Sequence, residues 1–121
     1  MLAATKFAQW TVRIAGIVAL VLGIMLWTGN GLAFRNIHML VGIVLVVALW
    51  VVAFFGARAG AMPLAIGAAV LGLIAAVFGM VQTSVLPGDL HRVVQVVHLL
   101  IGAGAVGIGE ALAARVKRAA V

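Results

Sequence analysis

The feature that most constrains this chain is a set of four long stretches without Lys, Arg, Asp or Glu. They cover residues 14–34, 36–57, 59–88 and 93–109 of the 121-residue sequence. A helix needs about 20 predominantly apolar residues to cross the hydrocarbon core of a bilayer, so each stretch can supply one span. The continuous apolar character excludes a membrane β-barrel, whose strands alternate in hydropathy over about ten residues.

Composition excludes the other broad classes of protein. Hydrophobic residues make up 67% of the chain and charged residues 8%, and the mean hydropathy is +1.37. A soluble domain is about one quarter charged, and a disordered chain is poor in apolar residues. We therefore expect an integral membrane protein. Cysteine is absent, which excludes disulfides, thiolate metal sites and iron–sulfur clusters.

Turn-forming residues separate the apolar stretches and place the helices. We expect helices near residues 7–28, 33–57, 63–85 and 90–114, joined by short connections rich in Gly, Asn and Pro. Short connections make successive helices antiparallel neighbours. The sequence thus predicts an all-α fold, an integral membrane four-helix bundle of up-down-up-down topology. Two tandem helix hairpins form it as one transmembrane domain over residues 1–121.

The basic residues predict the orientation in the membrane. Six of the eight lie toward the side that holds both chain ends, so the positive-inside rule places both termini in the cytoplasm. We expect the inner membrane of a bacterium. The basic residues sit at the ends of apolar runs rather than on one face, so nucleic acid is not an expected partner. The six are Lys6, Arg13, Arg58, Arg115, Lys117 and Arg118, and the other two are Arg35 and Arg92.

Helices 2 and 4 share a histidine motif. His38 is followed by three apolar residues and Gly42, and sixty residues later His98 is followed by three apolar residues and Gly102. In each helix the glycine lies one turn after the histidine on the same face. This echo indicates a tandem repeat.

Helices 1 and 3 carry a matching pair of glycines. Gly16 and Gly23 are seven residues apart on helix 1, and Gly72 and Gly79 have the same spacing on helix 3. A spacing of seven keeps two residues on one face of a helix. The alternative interpretation is close helix packing, which also uses small residues at regular intervals.

The two intramembrane histidines are candidate metal ligands. His38 and His98 lie at similar depth on parallel helices, which we expect to be diagonal in the bundle. Because adjacent axes are 8–10 Å apart, the diagonal is roughly 13 Å, too wide for direct contact but suited to a metalloporphyrin iron between the imidazoles. Gly23 and Gly79 would leave room for its ring, and Gly42 and Gly102 would let it approach each backbone. The alternative is a histidine that hydrogen-bonds to a neighbouring backbone or polar side chain.

This pattern resembles the four-helix core of membrane b-type cytochromes, which include cytochrome b subunits of quinol-oxidising complexes and cytochrome b561-like proteins. The resemblance implies one haem b per chain, with His38 and His98 as axial ligands. It also implies ring-facing positions at Gly16, Gly23, Gly72 and Gly79. The sequence departs from that family in two respects. No histidine lies in the cytoplasmic halves, so one haem is the limit, and no extended loop offers a quinone or ascorbate site.

Further polar residues flank the histidines. Arg35 and Arg92 precede them on the outer side and could pair with haem propionates or snorkel to the interface. We expect His91 to be interfacial. We expect Glu110 to pair with Arg58 or Arg115.

The sequence thus predicts one-electron transfer near the outer face of the membrane, with no catalytic residue of its own. The expected partners are the lipid bilayer and a quinol or redox protein, with superoxide as a further candidate donor. A homo-oligomer is left open. The alternative functions are a non-catalytic helper subunit of a larger membrane complex and a compact four-helix transporter, for which a charge near the bilayer midplane would be expected.

Overall fold

Four helices of membrane length account for most of the chain. The computed structural model describes Met1–Val121 and contains no strand. All four helices are long and apolar enough to cross a membrane, so the chain is an integral membrane four-helix bundle. The helices are α1 (Leu2–Trp27), α2 (Arg35–Arg58), α3 (Met62–Val81) and α4 (His91–Ala119), with 3₁₀ turns at Leu32–Phe34 and Gln82–Ser84.

The predicted number and order of helices are confirmed, but three boundaries differ. α1 begins at Leu2 rather than near residue 7, and α4 continues to Ala119 rather than ending near 114. Charged residues at these ends remain exposed, so they do not interrupt the helix. α3 ends at Val81, because the polar segment Gln82–Ser84 forms a tight turn before the connection to α4. Because α1 begins earlier than predicted, each of its residues lies further from the N-terminal end of the helix than the sequence suggested.

The helices are arranged as a rhombus rather than a square. α2 and α4 pack against each other across the short diagonal, and α1 and α3 each contact both of them without contacting one another. The predicted 13 Å gap between helices 2 and 4 is therefore wrong. Small residues explain the close approach: a Cβ atom on Gly109 of α4 would lie 3.2 Å from Cδ1 of Leu49 on α2.

Buried residues are concentrated in one half of the bundle. The terminal half, at the end that holds both chain ends, contains almost the whole core, including the fully buried Leu49 and Leu112. In the opposite half, which we call the histidine half (residues 16–44 and 73–104), only Gly31 and Val94 are buried. Protein interiors are normally close-packed. One half of this bundle is therefore closed, and the other has room for a ligand.

Contacts between the hairpins follow the tandem repeat seen in the sequence. A Cβ atom on Gly16 would lie 2.9 Å from Cγ2 of Val106, and one on Gly72 would lie 3.3 Å from Cγ1 of Val46. Gly16 and Gly72 are equivalent in the repeat, and so are Val106 and Val46. The two hairpins thus use equivalent contacts, as expected for parallel repeats related by an axis along the membrane normal.

Candidate functional site

His38 and His98 meet across the contact between α2 and α4. Their ring centroids are 6.2 Å apart, and the ring planes are inclined by 63°. The Nδ1 atom of each ring is buried and has no hydrogen-bond partner. A histidine that serves only as a hydrogen-bond partner in a membrane would have both nitrogens bonded or solvated, since a buried unpaired polar atom costs about 1–3 kcal/mol. The pair is therefore a candidate ligand-binding site.

Each histidine is packed against a glycine of the preceding helix. A Cβ atom on Gly23 would lie 3.3 Å from Cε1 of His38, and a Cβ atom on Gly79 would lie 3.3 Å from Cε1 of His98. The sequence assigns these glycines to a cofactor ring, whereas in the structure the nearest side chain to each is an imidazole. Their absent side chains let the imidazoles lie close to α1 and α3.

Phe78 of α3 also positions His98. Its ring stacks on the imidazole with centroids 6.0 Å apart and planes inclined by 19°. Sequence reasoning missed this residue, because one phenylalanine in a long apolar run has no distinguishing pattern. The equivalent position in the first hairpin is Leu22, so His38 lacks this stacking partner.

A cavity of about 640 Å³ adjoins both histidines in the histidine half. It lies mainly between α1 and α4, with contributions from α2 and α3. Four of the six predicted glycines line it: Gly16, Gly23, Gly79 and Gly102. The other two do not. A Cβ atom on Gly72 would lie 2.8 Å from Nε1 of Trp50, and a Cβ atom on Gly42 would meet nothing within 4 Å.

The polar residues at this end belong to two different pockets. Arg35 lines the histidine cavity, whereas Arg92 lines a separate polar pocket of about 450 Å³ that it shares with Asp89. His91 and Gln95 line both, so they form the wall between the two spaces. Neither arginine is in a salt bridge. Sequence reasoning missed Gln95 and also the cavity-lining Gln82 and Thr83.

His91 contacts the connection that precedes α4, and this contact is compatible with the predicted interfacial position. Its Nδ1 atom lies 3.2 Å from the carbonyl oxygen of Val85. A protonated Nδ1 would donate to that oxygen and leave Nε2 as an acceptor. His91 therefore lies at the boundary between the cavity and the exposed pocket.

Glu110 pairs with α1 and not with Arg58 or Arg115, so that prediction is wrong. Arg13 donates from Nε to Oε1 at 2.6 Å and from a terminal nitrogen to Oε2 at 2.8 Å. Gln9 donates to Oε2 at 2.6 Å. α1 lies directly beside α4 and reaches the carboxylate laterally, whereas a residue five positions along α4 points about 140° away. Because α1 begins at Leu2, Arg13 lies about 16 Å into the helix, where it also lines the cavity.

The packing of α2 against α3 has a different contact at the equivalent place. There the indole nitrogen of Trp50 donates to the carbonyl oxygen of Ala69 at 3.2 Å. Trp50 is equivalent to Glu110, and Ala69 is equivalent to Arg13. The same helix crossing is thus joined by an ion pair in one case and by an indole–carbonyl hydrogen bond in the other.

The donor set limits what the histidines could hold. No group of three or more His, Cys, Asp or Glu side chains is placed to bind a metal ion. His38 and His98 are two such side chains, one fewer than that number. Imidazole–metal bonds of about 2.0–2.1 Å, with about 1.1 Å more to each ring centre, would separate two opposed rings by about 6.3 Å. The observed centroid separation of 6.2 Å is close to that spacing, and the Cε1 atoms of the two rings contact different helices, at Gly23 and Gly79.

Comparisons with protein-family models, curated proteins and solved structures find no match. The proposed function is therefore based on the geometry and chemistry of the site.

Proposed function

We propose that this chain is a membrane b-type cytochrome that binds one haem b and carries single electrons. His38 and His98 would be its axial ligands. The observation that carries the proposal is the juxtaposition of two intramembrane imidazoles, with ring centroids 6.2 Å apart, beside a cavity of about 640 Å³. The adjoining cavity supports it, because the histidine half is the part of the bundle without a packed core.

The chain's own residues would bind and orient the group. A haem, when bound, would supply a one-electron couple, and His38 and His98 would hold it through their imidazoles. Gly23 and Gly79 permit the imidazoles to lie close to α1 and α3, and Phe78 holds the plane of His98. The apolar residues of the cavity wall would lower the local dielectric constant, which together with the ligands would set the redox potential. Outer-sphere electron transfer follows from this arrangement.

The rim of the cavity would hold the propionates. Arg35 lines the cavity and has no acidic partner, so its guanidinium is free to pair with a carboxylate. Arg92 lies outside the cavity and would act at longer range, attracting an anionic partner to the surface. Quinol, superoxide and a redox protein are the donor candidates that fit a site near this surface.

The proposed orientation places the histidine half toward the outer face. The terminal end carries most of the Lys and Arg residues, so both termini would lie in the cytoplasm of a bacterium and the bundle in its inner membrane. In that orientation the rim residue Arg35 faces the periplasm or the exterior. Cysteine labelling of single-Cys variants at Gly29 and Gly60 in intact cells would test it, since these residues lie in loops at opposite ends.

An absorption spectrum of the detergent-purified protein tests the cytochrome proposal. We expect a sharp α band on dithionite reduction and one haem per chain. His38→Ala and His98→Ala should each remove the low-spin spectrum, whereas the matched control His91→Ala should retain it. A protein that stays colourless after haem is supplied would overturn the proposal and favour the helper-subunit alternative.

A compact transporter is the second candidate. It is favoured by the ion pair between Arg13 and Glu110, because charged groups within a membrane span commonly mark transport pathways. Arg13 also lines the cavity, so a solute there could reach a charged group. This candidate predicts solute or proton flux in proteoliposomes from the colourless protein, and flux should be lost in Glu110→Gln.

A further inference from the structure

The terminal end of the bundle presents a strongly basic surface. Five exposed cationic side chains from three helices surround it, and we call them the terminal basic surface. They are Lys6 on α1, Arg58 on α2, and Arg115, Lys117 and Arg118 on α4. All five lie at or beyond the boundary expected for the apolar part of their helix.

No acidic side chain neutralises this surface. The chain contains two acidic residues. Asp89 lies at the opposite end, in the connection before α4. Glu110 is already bonded to Arg13 and Gln9. Apart from the longer-range attraction between Lys117 and Glu110, the five cations have no counter-charge within the chain.

The basic residues of α4 are held in fixed positions. Val116 and Leu112 are fully buried, so the last turns of α4 pack against the bundle rather than fraying. Arg115 and Lys117 flank Val116 on either side, which directs their side chains away from the core to the two sides of the helix. The charges are thus presented around the end of the bundle and not on a flexible tail.

Exposed aromatic rings lie next to two of these cations. The guanidinium of Arg58 sits over the ring of Phe54, 5.8 Å from its centre, and that phenylalanine is 57% exposed. Phe7, beside Lys6, is 76% exposed. A phenyl ring in the acyl region with a cation at headgroup depth suits a phospholipid, which offers both environments, better than a soluble phosphate or an acidic protein.

We propose that the terminal basic surface binds the headgroups of anionic phospholipids in the surrounding leaflet. Phosphodiester oxygens would accept hydrogen bonds from the five side chains, and the acyl chains would lie along Phe7 and Phe54. Clusters of four to eight basic residues next to membrane helices bind anionic lipids in this way. The proposal is independent of haem binding, because the surface is at the opposite end from the histidines.

Lipid retention in mixed proteoliposomes tests the proposal. The protein is reconstituted in equal amounts of phosphatidylglycerol and phosphatidylcholine, extracted in mild detergent, and the bound lipid is quantified by mass spectrometry. We expect a preference for phosphatidylglycerol of about tenfold, reduced to about twofold or less in the triple variant Arg115→Gln/Lys117→Gln/Arg118→Gln. Arg58→Gln alone should give an intermediate value.

Two controls separate charge from fold and from site. Arg115→Lys/Arg118→Lys conserves the charge and should keep the preference, and Arg35→Gln/Arg92→Gln removes two charges at the other end and should also keep it. Equal retention of both lipids by the wild type, or an unchanged preference in a folded triple variant, would overturn the proposal. If excess inorganic phosphate displaces all of the bound lipid, the surface binds free phosphate instead. If an acidic peptide displaces the lipid and inorganic phosphate does not, the surface binds an acidic protein.

Discussion

Gly23 lies so close to His38 that a side chain on the glycine would touch the imidazole. A Cβ atom at this position would lie 3.3 Å from Cε1 of the histidine, which is closer than most Cβ contacts in proteins. The distance from a Cβ atom on Gly79 to Cε1 of His98 is also 3.3 Å. The repeated unit of this protein is therefore a glycine on the first helix of each hairpin and a histidine on the second. Two such units place their imidazoles together where α2 meets α4.

Replacing either glycine with leucine should displace the adjacent histidine. Because the new side chain and the imidazole cannot share the space, we expect Gly23→Leu and Gly79→Leu each to reduce the haem-to-protein ratio to less than half. The measurement is a pyridine-haemochrome assay on purified protein. Gly107→Leu is the matched control, since a Cβ there meets nothing within 4 Å. Full haem content in Gly23→Leu would show that the ring is not held as described.

A substitution in the terminal half should affect stability and not the cofactor. In Gly72→Ala the new methyl group would lie 2.8 Å from Nε1 of Trp50 and break its hydrogen bond to the carbonyl of Ala69. We expect a loss of about 1–3 kcal/mol in unfolding free energy, measured by denaturation in detergent. Gly67→Ala on the same helix meets only the flexible end of Ile108 at 3.4 Å. It should be neutral or stabilising, and equal losses in both variants would contradict this account.

The ion pair between Arg13 and Glu110 should show energetic coupling. Removing one partner leaves the other charge unpaired within the membrane span, so Arg13→Gln and Glu110→Gln should each be destabilising. In the double variant two amides can still hydrogen-bond, so the combined loss should be smaller than the sum by about 0.5–2 kcal/mol. Strictly additive losses would indicate that the contact contributes nothing. Asp89→Asn, which alters an acid without a salt bridge, is the control.

The membrane fold could be predicted from the distribution of charge alone. Long charge-free runs determine the helices, and short connections determine their antiparallel order. The repeat could also be predicted, because glycine and histidine are distinctive inside an apolar run. The direct contact between α2 and α4 could not be predicted, since it depends on which small residues of the two helices face each other. Gly109 and Leu49, which meet at this contact, are 60 residues apart in the sequence.

Polar contacts between distant helices were also beyond sequence reasoning. Glu110 and Arg13 are 97 residues apart, and a carboxylate offers no sign of which helix will lie beside it. Arg35 and Arg92 look equivalent in the sequence because each precedes a histidine. The structure separates them, placing only Arg35 on the histidine cavity. That difference depends on how the connections turn before α2 and α4, which the turn-forming residues do not specify.

The separation of the two arginines gives a test based on redox potential. A positive charge beside a haem disfavours its more positive oxidised state, so removing the charge should lower the midpoint potential. We expect Arg35→Gln to shift it by about −20 to −50 mV, where 59 mV corresponds to a tenfold change for one electron. Arg92→Gln removes the same charge from the neighbouring pocket, outside the histidine cavity, so its shift should be less than half as large. Spectroelectrochemical titration of both variants at one ionic strength measures the difference. Equal shifts would place the two arginines at equal distances from the haem and contradict the assignment of Arg35 alone to the cavity rim.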